Sequence, residues 1–226
     1  MTTKGKKRQA KSSSETKEES ETRAKKAKLA DVSSSDGNEV MEVDSSTGAE
    51  HQQTNLPFLK FSSVTAPVPA FKCPAVINDQ IVTLSSTEML GKWSVLVFHA
   101  SDFTELAAQD ILAFSSRISE FEALNTTVWA ISIDSEFTHL AFAQQPRSSG
   151  ALGGEAKIPL LSDFSQKISR DYGVLVEDLG VAARAIFIID PAQTLQATWM
   201  DRGNVPHNVD EVLRWLNLYN KDKMSS

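Results

Sequence analysis

The chain has 226 residues, 23 Lys and Arg against 29 Asp and Glu, and a single cysteine. Such a length fits one ordinary domain with a tail, and one cysteine excludes an intrachain disulfide. We expect neither a membrane span nor a signal peptide, because no apolar run is long enough and the N-terminus lacks the charged-then-apolar pattern.

The N-terminal part is rich in Ser, Thr, Lys and Glu and poor in large apolar side chains. Such a segment cannot bury enough surface to offset the entropy of ordering its backbone, so we expect a disordered tail over residues 1–55. Residues 1–28 carry ten Lys and Arg against four Asp and Glu, whereas residues 29–55 carry six Asp and Glu and no Lys or Arg. A globular domain is expected over residues 56–226.

Two basic clusters in the tail have the compact form of nuclear import signals. Their residues are Lys6, Lys7, Arg8, Lys25, Lys26 and Lys28. They predict a nuclear protein bound by an import receptor, with a solvated tail on a cytoplasmic protein as the alternative. Nucleic-acid binding is disfavoured, because the tail lacks aromatic residues for stacking and its acidic stretch would compete with phosphates.

The remaining sequence alternates between strand and helix patterns. In chain order, these patterns predict strands at residues 70–76, 81–84 and 93–99, a helix at 110–124, a strand at 127–133, helices at 135–144 and 164–172, strands at 185–189 and 194–199, and a helix at 209–218. The run at 93–99 is mostly apolar and rich in β-forming residues, which is typical of a buried central strand. This order predicts an α/β fold with a mixed sheet covered by helices on both faces.

Residues 97–110, VFHASDFTELAAQD, resemble the active-site turn of the typical two-cysteine peroxiredoxins, PxDFTFVCPTE. Further blocks follow in the family's order: APVPAF at 66–71, SIDSEFTHL at 132–140, GALG at 150–153, IPLLSD at 158–163, DYGVL at 171–175 and RAIFIID at 184–190. The resemblance implies the thioredoxin-like fold of peroxiredoxin type and a family role in redox homeostasis.

The resemblance also implies a degenerate peroxide site. Ala100, Thr104, Ala107 and Arg184 stand where the family has a proline, a threonine, the peroxidatic cysteine and an arginine. The family's C-terminal extension with the resolving cysteine is expected to be absent. A methyl group cannot act as a nucleophile, so we expect no catalytic residue, and we expect no cofactor or metal.

Two functional hypotheses follow. The leading hypothesis is a catalytically inactive peroxiredoxin-like protein that acts in the nucleus as a binding or scaffold subunit. The alternative is a weak thioredoxin-dependent peroxidase or redox partner, working through Cys73 or by hetero-oligomerising with active peroxiredoxins. A lone cysteine on a predicted strand is more often a packing residue than a nucleophile.

Several side chains around the degenerate site have predicted roles. We expect Arg184 to pair with Asp110 or Glu105, with binding of an anionic or peroxidic ligand as the alternative. Thr104 is expected to cap a helix. Because the histidines are dispersed in the sequence, no histidine cluster is predicted, and His139 is expected to be structural.

Two surfaces are predicted to bind protein partners. The β-rich segment ending at Trp199 is expected to form a homodimer through a sheet edge, which is where the family pairs its subunits, and a monomer with Trp199 packed internally is the alternative. The mouth of the altered pocket, formed by Glu105, Leu106, Gln109 and Asp110, is the other predicted surface.

Overall fold

The computed structural model describes residues 64–201 and 205–224. The predicted tail and its two basic clusters lie outside the described residues, so the expectations about them stay predictions. No helix in the described part is long and apolar enough to cross a membrane.

The described residues form nine strands and five α-helices. The strands are β1 (Lys72–Ile77), β2 (Gln80–Ser85), β3 (Trp93–Phe98), β4 (Thr126–Ser132), β5 (Leu160–Ser162), β6 (Leu175–Val176), β7 (Val181–Ala182), β8 (Arg184–Ile189) and β9 (Leu195–Asp201). The helices are α1 (Glu105–Ser116), α2 (Ile118–Ala123), α3 (Glu136–Gln144), α4 (Lys167–Asp171) and α5 (Val209–Met224). Short 3₁₀ turns lie at Ser86–Met89 and Arg147–Ser149.

Seven of these strands build one mixed sheet in the order β2-β1-β5-β4-β3-β8-β9. Strands β3, β4 and β5 are parallel, and the remaining neighbours pair antiparallel. The predicted α/β fold with a mixed central sheet is confirmed, and β9 lies at one edge of that sheet.

Strand β3 is the centre of the fold. All six of its side chains are buried, as the mostly apolar run predicts. Alternate residues face opposite sides of the sheet, so Val95 and Val97 belong to one hydrophobic core while Leu96 and Phe98 belong to the other. Helices α1, α3 and α5 contribute to the first of these cores.

The helix predicted at 110–124 begins earlier and is divided in two. Thr104 caps α1, and the helical path is interrupted at Arg117, whose φ of −114° and ψ of 16° are not helical. The apolar periodicity identified the buried face but carried no information on the polar first turn or on this break. The helix predicted at 164–172 is likewise shorter, because Asp163 accepts hydrogen bonds from the amides of Ile168 and Ser169 and α4 starts only at Lys167.

Candidate active site

The turn that begins α1 is held by Thr104. Its Oγ1 accepts the backbone N–H of Ala107 at 3.3 Å and donates to the carbonyl oxygen of Ser101 at 3.0 Å. Ala107 itself is 1% exposed. The predicted capping role of Thr104 is therefore confirmed. The methyl group of Ala107 is buried in the first turn of α1.

Arg184 and Asp110 form a buried ion pair. The guanidinium Nη2 donates to Asp110 Oδ2 at 2.6 Å, and Nη1 donates to the carbonyl oxygen of Val205 at 3.1 Å. The Arg184 side chain is 11% exposed and that of Asp110 is 1% exposed. Of the two predicted partners the structure selects Asp110, because Glu105 points to solvent and accepts a hydrogen bond from Gln109 instead.

The other Asp110 oxygen is also occupied. Asp110 Oδ1 accepts the backbone N–H of His207 at 2.8 Å, and the ring Nε2 of His207 lies 3.8 Å from Asp110 Oδ2. Asp110 is thus enclosed by α1, β8 and the segment before α5. The prediction that Asp110 belongs to an exposed pocket mouth is wrong, whereas Glu105 and Gln109 are exposed and Leu106 is half-buried.

Cys73 lies on β1 and faces the core on the other side of the sheet. Burial, with a smaller contribution from the charge of Asp163, raises the pKa of its thiol to about 12. A thiol with this pKa stays protonated at neutral pH, and only the thiolate is a nucleophile. The structure does not bring Cys73 together with Ala107 and Arg184, which lie on the α1 side.

Sequence reasoning missed a histidine cluster. The Nε2 of His99 lies 3.0 Å from Asp102 Oδ1, and the Nδ1 of His139 lies 2.8 Å from Asp102 Oδ2. Burial acts to raise the pKa of Asp102, but the hydrogen bonds with His139 and His99 outweigh it and hold this pKa below its ordinary value. The prediction of dispersed histidines is wrong, because β3 and β4 are parallel neighbours and the segments that follow them meet at one sheet edge.

Two further predicted positions lie at the borders of the site. Ala100 is half-buried in the loop between β3 and α1. Trp199 is half-buried on β9 and packs against Trp215 of α5, with ring centroids 6.3 Å apart. Within the described chain, no group of three or more metal-ligating side chains could hold an ion.

Comparison with known proteins identifies the family. Residues 64–198 match the AhpC/TSA family. The chain belongs to this family. Peroxiredoxin prdx-2 of Caenorhabditis elegans is 46% identical over 158 residues, which cover 70% of this chain and 78% of the relative. The mitochondrial thioredoxin-dependent peroxide reductase of Mus musculus is 43% identical over 152 residues, covering 67% of this chain and 59% of the relative.

Solved structures of AhpC/TSA proteins agree with the fold. The reduced 2-Cys peroxiredoxin of Plasmodium vivax superposes with a TM-score of 0.68 at 32% identity, covering 71% of this chain and 83% of the other. Mycobacterium tuberculosis AhpC gives a TM-score of 0.63 at 35% identity, covering 71% and 94%. The thioredoxin-like fold of peroxiredoxin type and the resemblance itself are confirmed.

The leading functional hypothesis is corrected by these comparisons. The hypothesis of a catalytically inactive nuclear scaffold rests on the altered site residues and on the basic clusters of the tail, yet the relatives at 43% to 46% identity are peroxiredoxins and a thioredoxin-dependent peroxide reductase. Nothing in the comparisons indicates a scaffold, so that hypothesis is wrong. A few substituted site positions are weaker ground for a function than similarity across more than 150 residues.

Proposed function

We propose that this chain functions in thioredoxin-dependent peroxide reduction, as a subunit of a peroxiredoxin assembly. The observation that carries the proposal is the 43% to 46% identity, over 152 to 158 residues, to two proteins named peroxiredoxins and to one named a thioredoxin-dependent peroxide reductase. The seven-stranded sheet and the position of α1 at the end of β3 agree with it.

The chain retains two side chains that the family places beside the peroxide. Thr104 is fixed by its capping hydrogen bonds, and the guanidinium of Arg184 is fixed by Asp110 and by the carbonyl oxygen of Val205. Groups that are oriented before a ligand arrives need no reorganisation when it binds. This arrangement supports binding of a small polar ligand such as a hydroperoxide beside Arg184.

The reaction also needs a thiolate. The side chain at position 107 is a methyl group, and the Cys73 thiol is buried with its pKa raised to about 12. We therefore propose that the reacting sulfur belongs to a second peroxiredoxin chain with which this subunit assembles. The proposed partner class is thus a thiol-bearing protein of the same family.

The edge of β9 beyond Leu195, whose own backbone groups bind residues 65 and 66, supports assembly with a second chain, including a second copy of this one. An edge strand presents backbone N–H and C=O groups that can pair with another strand. Met200 on this strand is 43% exposed, whereas Trp199 is held against α5. A homodimer through β9 is therefore proposed, with the mixed assembly using the same edge.

A coupled assay with thioredoxin, thioredoxin reductase, NADPH and hydrogen peroxide tests the activity. We expect a mixture of this chain and Caenorhabditis elegans prdx-2 to consume peroxide faster than the sum of the two proteins assayed apart. Arg184→Lys should reduce this gain, since a lysine cannot keep both guanidinium contacts. Arg147→Lys, at an exposed arginine paired with Glu155, is the matched control and should retain it.

Two outcomes would contradict the mixed assembly. A mixture that consumes peroxide only at the summed rate shows that the chain contributes nothing to its partner. Turnover by this chain alone that Cys73→Ser abolishes would keep the peroxide-reduction proposal but place the sulfur at Cys73.

The dimer edge has a separate test by analytical ultracentrifugation. Met200→Lys places a charge on the exposed edge and, in a symmetric pair, brings two like charges together, so we expect dimerisation to weaken. Leu90→Lys, at a residue 57% exposed outside β9, is the matched control. Equal association of the two variants would contradict the β9 interface.

Nuclear localisation is a further proposal that rests on the basic clusters of the tail. Replacing Lys25, Lys26 and Lys28 by Gln should move a fluorescent fusion of the full chain from nucleus to cytoplasm. An unchanged nuclear signal would show that these lysines are not the import signal.

A further inference from the structure

A buried charged cluster lies next to the proposed site and has no assigned role. It consists of His99 just after β3, Asp102 in the following loop and His139 on α3. Each of these three side chains is at most 1% exposed. Buried ionisable groups are costly unless they are paired and hydrogen-bonded, so their arrangement needs a physical account.

The hydrogen-bond partners determine where the protons are. The Nε2 of His139 lies 3.0 Å from the carbonyl oxygen of Leu161, which can only accept, so this nitrogen carries a proton. The Nδ1 of His139 faces the ionised Asp102 carboxylate, which also only accepts, so this nitrogen carries a proton too. Both ring nitrogens of His139 thus face groups to which they can donate.

His99 is in a different state. Its Nε2 donates to Asp102 Oδ1, while no hydrogen-bond partner for its Nδ1 is found in the described part of the chain. A proton on that buried nitrogen would add an uncompensated charge, so His99 is neutral with a bare Nδ1. In this arrangement His139 has two ring protons, His99 has one, and Asp102 carries the single negative charge.

This cluster is tied to the turn that begins α1. The backbone N–H of Asp102 donates to Asp134 Oδ2 at 2.8 Å, so Asp102 is held through both its main chain and its side chain. The next residue, Phe103, has a φ of 56°, a left-handed conformation that costs free energy for a residue with a side chain. Thr104, the cap of α1, follows directly.

We propose that His99, Asp102 and His139 form a proton-dependent clamp that positions the Thr104 cap and the first turn of α1. The charged hydrogen bonds to Asp102 hold the loop in the strained conformation at Phe103, and so they fix the orientation of Thr104 Oγ1 toward the amide of Ala107. The three are positioning residues, because they act on the site through Thr104. The clamp follows from hydrogen bonds within this chain and is independent of the proposed function.

Charged groups on neighbouring elements are engaged elsewhere. Asp134, after β4, accepts from the backbone of Asp102 and from Ser132. Asp163, after β5, accepts from the first amides of α4. Arg184, at the start of β8, binds Asp110.

Nitrogen-15 spectra of the histidine rings in the full chain at pH 7.5 test the clamp. We expect both ring nitrogens of His139 to be protonated and only Nε2 of His99. Asp102→Asn can retain the hydrogen bonds with one proton fewer, because its amide N–H can donate to a bare Nδ1 of His139. In this variant we expect His139 to lose one proton, and hydrogen exchange at the Ala107 amide to rise about fivefold as the weaker neutral bonds loosen the turn.

Thr104→Ala is the control that separates the clamp from the cap. It should speed exchange at Ala107 while leaving His139 doubly protonated. A singly protonated His139 in the unaltered chain overturns the proposal, and this measurement stands even where Asp102→Asn does not fold. Unchanged Ala107 exchange in a folded Asp102→Asn variant also overturns it.

Discussion

Two buried carboxylates lie near the ends of the segment that carries the candidate site, and their partners differ in kind. Asp110 binds a guanidinium and a backbone amide, and Asp102 binds two imidazoles. Both side chains are 1% exposed. Since the two side chains are equally buried, the two carboxylates differ mainly in the chemistry of their partners.

The difference concerns proton exchange. A guanidinium stays charged at every pH that a protein survives, so the cation of the Asp110–Arg184 pair is permanent. An imidazole ring can hold one proton or two, so the hydrogen bonds around Asp102 can differ in the number of protons they contain. The fold therefore has a fixed anchor on β8 and an adjustable one at the end of β3, with the first turn of α1 between them.

The largest effect is expected from removing one member of the Asp110–Arg184 pair. Asp110→Ala leaves the Arg184 guanidinium buried without its carboxylate, and we expect a loss of about 3–5 kcal/mol in the free energy of unfolding. Urea denaturation followed by circular dichroism measures it. The double variant Asp110→Leu with Arg184→Met should lose less than Asp110→Ala alone, because no uncompensated charge remains. Equal losses of unfolding free energy in the single and the double variant would show that the Arg184 guanidinium is well solvated without Asp110.

A smaller effect, dependent on pH, is expected at the adjustable anchor. The pKa of Asp102 is held below its ordinary value, so its ionised form stabilises the fold above about pH 4, and that stabilisation is lost as pH falls through the lowered pKa. His99→Phe removes one hydrogen bond to this charge, so we expect a loss of about 1.5–3 kcal/mol at neutral pH. It should also raise the Asp102 pKa and move acid unfolding to higher pH.

His207→Phe is the matched control for this comparison. His207 holds Asp110 through its backbone N–H, which the substitution leaves in place, and the ring nitrogen that it removes lies 3.8 Å from Asp110 Oδ2, beyond hydrogen-bond distance. Acid titration followed by circular dichroism should therefore show a larger upward shift of the unfolding midpoint for His99→Phe than for His207→Phe. The reverse order would mean that the pH-dependent anchor is at Asp110.

The two anchors also show what could be predicted from the sequence. Arg184 and Asp110 both fall on positions of a recognisable family pattern, so their pairing could be expected before the fold was known. The link between Asp102 and His139 depends on the parallel pairing of β3 with β4, which brings residues 37 positions apart together. Spacing in the sequence carries no signal for such a contact. A histidine after each of two adjacent parallel strands was the available clue.

The function needed information beyond the site residues. The altered site residues, Ala107 above all, suggested an inactive protein, because the substitution at the reactive position dominated the interpretation. Apolar periodicity placed the start of the helix at residue 110, since the polar residues around Glu105 show no such periodicity, whereas the predicted Thr104 cap marks the observed start of α1. For the function, the deciding information lay outside the local pattern, in the overall similarity.

The smallest effect is expected at the cap between the two anchors. Thr104→Ala removes the hydrogen bond to the Ala107 amide, and loss of such a cap costs about 1 kcal/mol. Ser135→Ala, which removes the equivalent cap of α3, is the matched control for an ordinary helix. Urea denaturation should give similar losses for both, because the anchors at Asp102 and Asp110 keep α1 in place when the cap is missing. A much larger loss for Thr104→Ala would show that the anchors hold the turn only through Thr104.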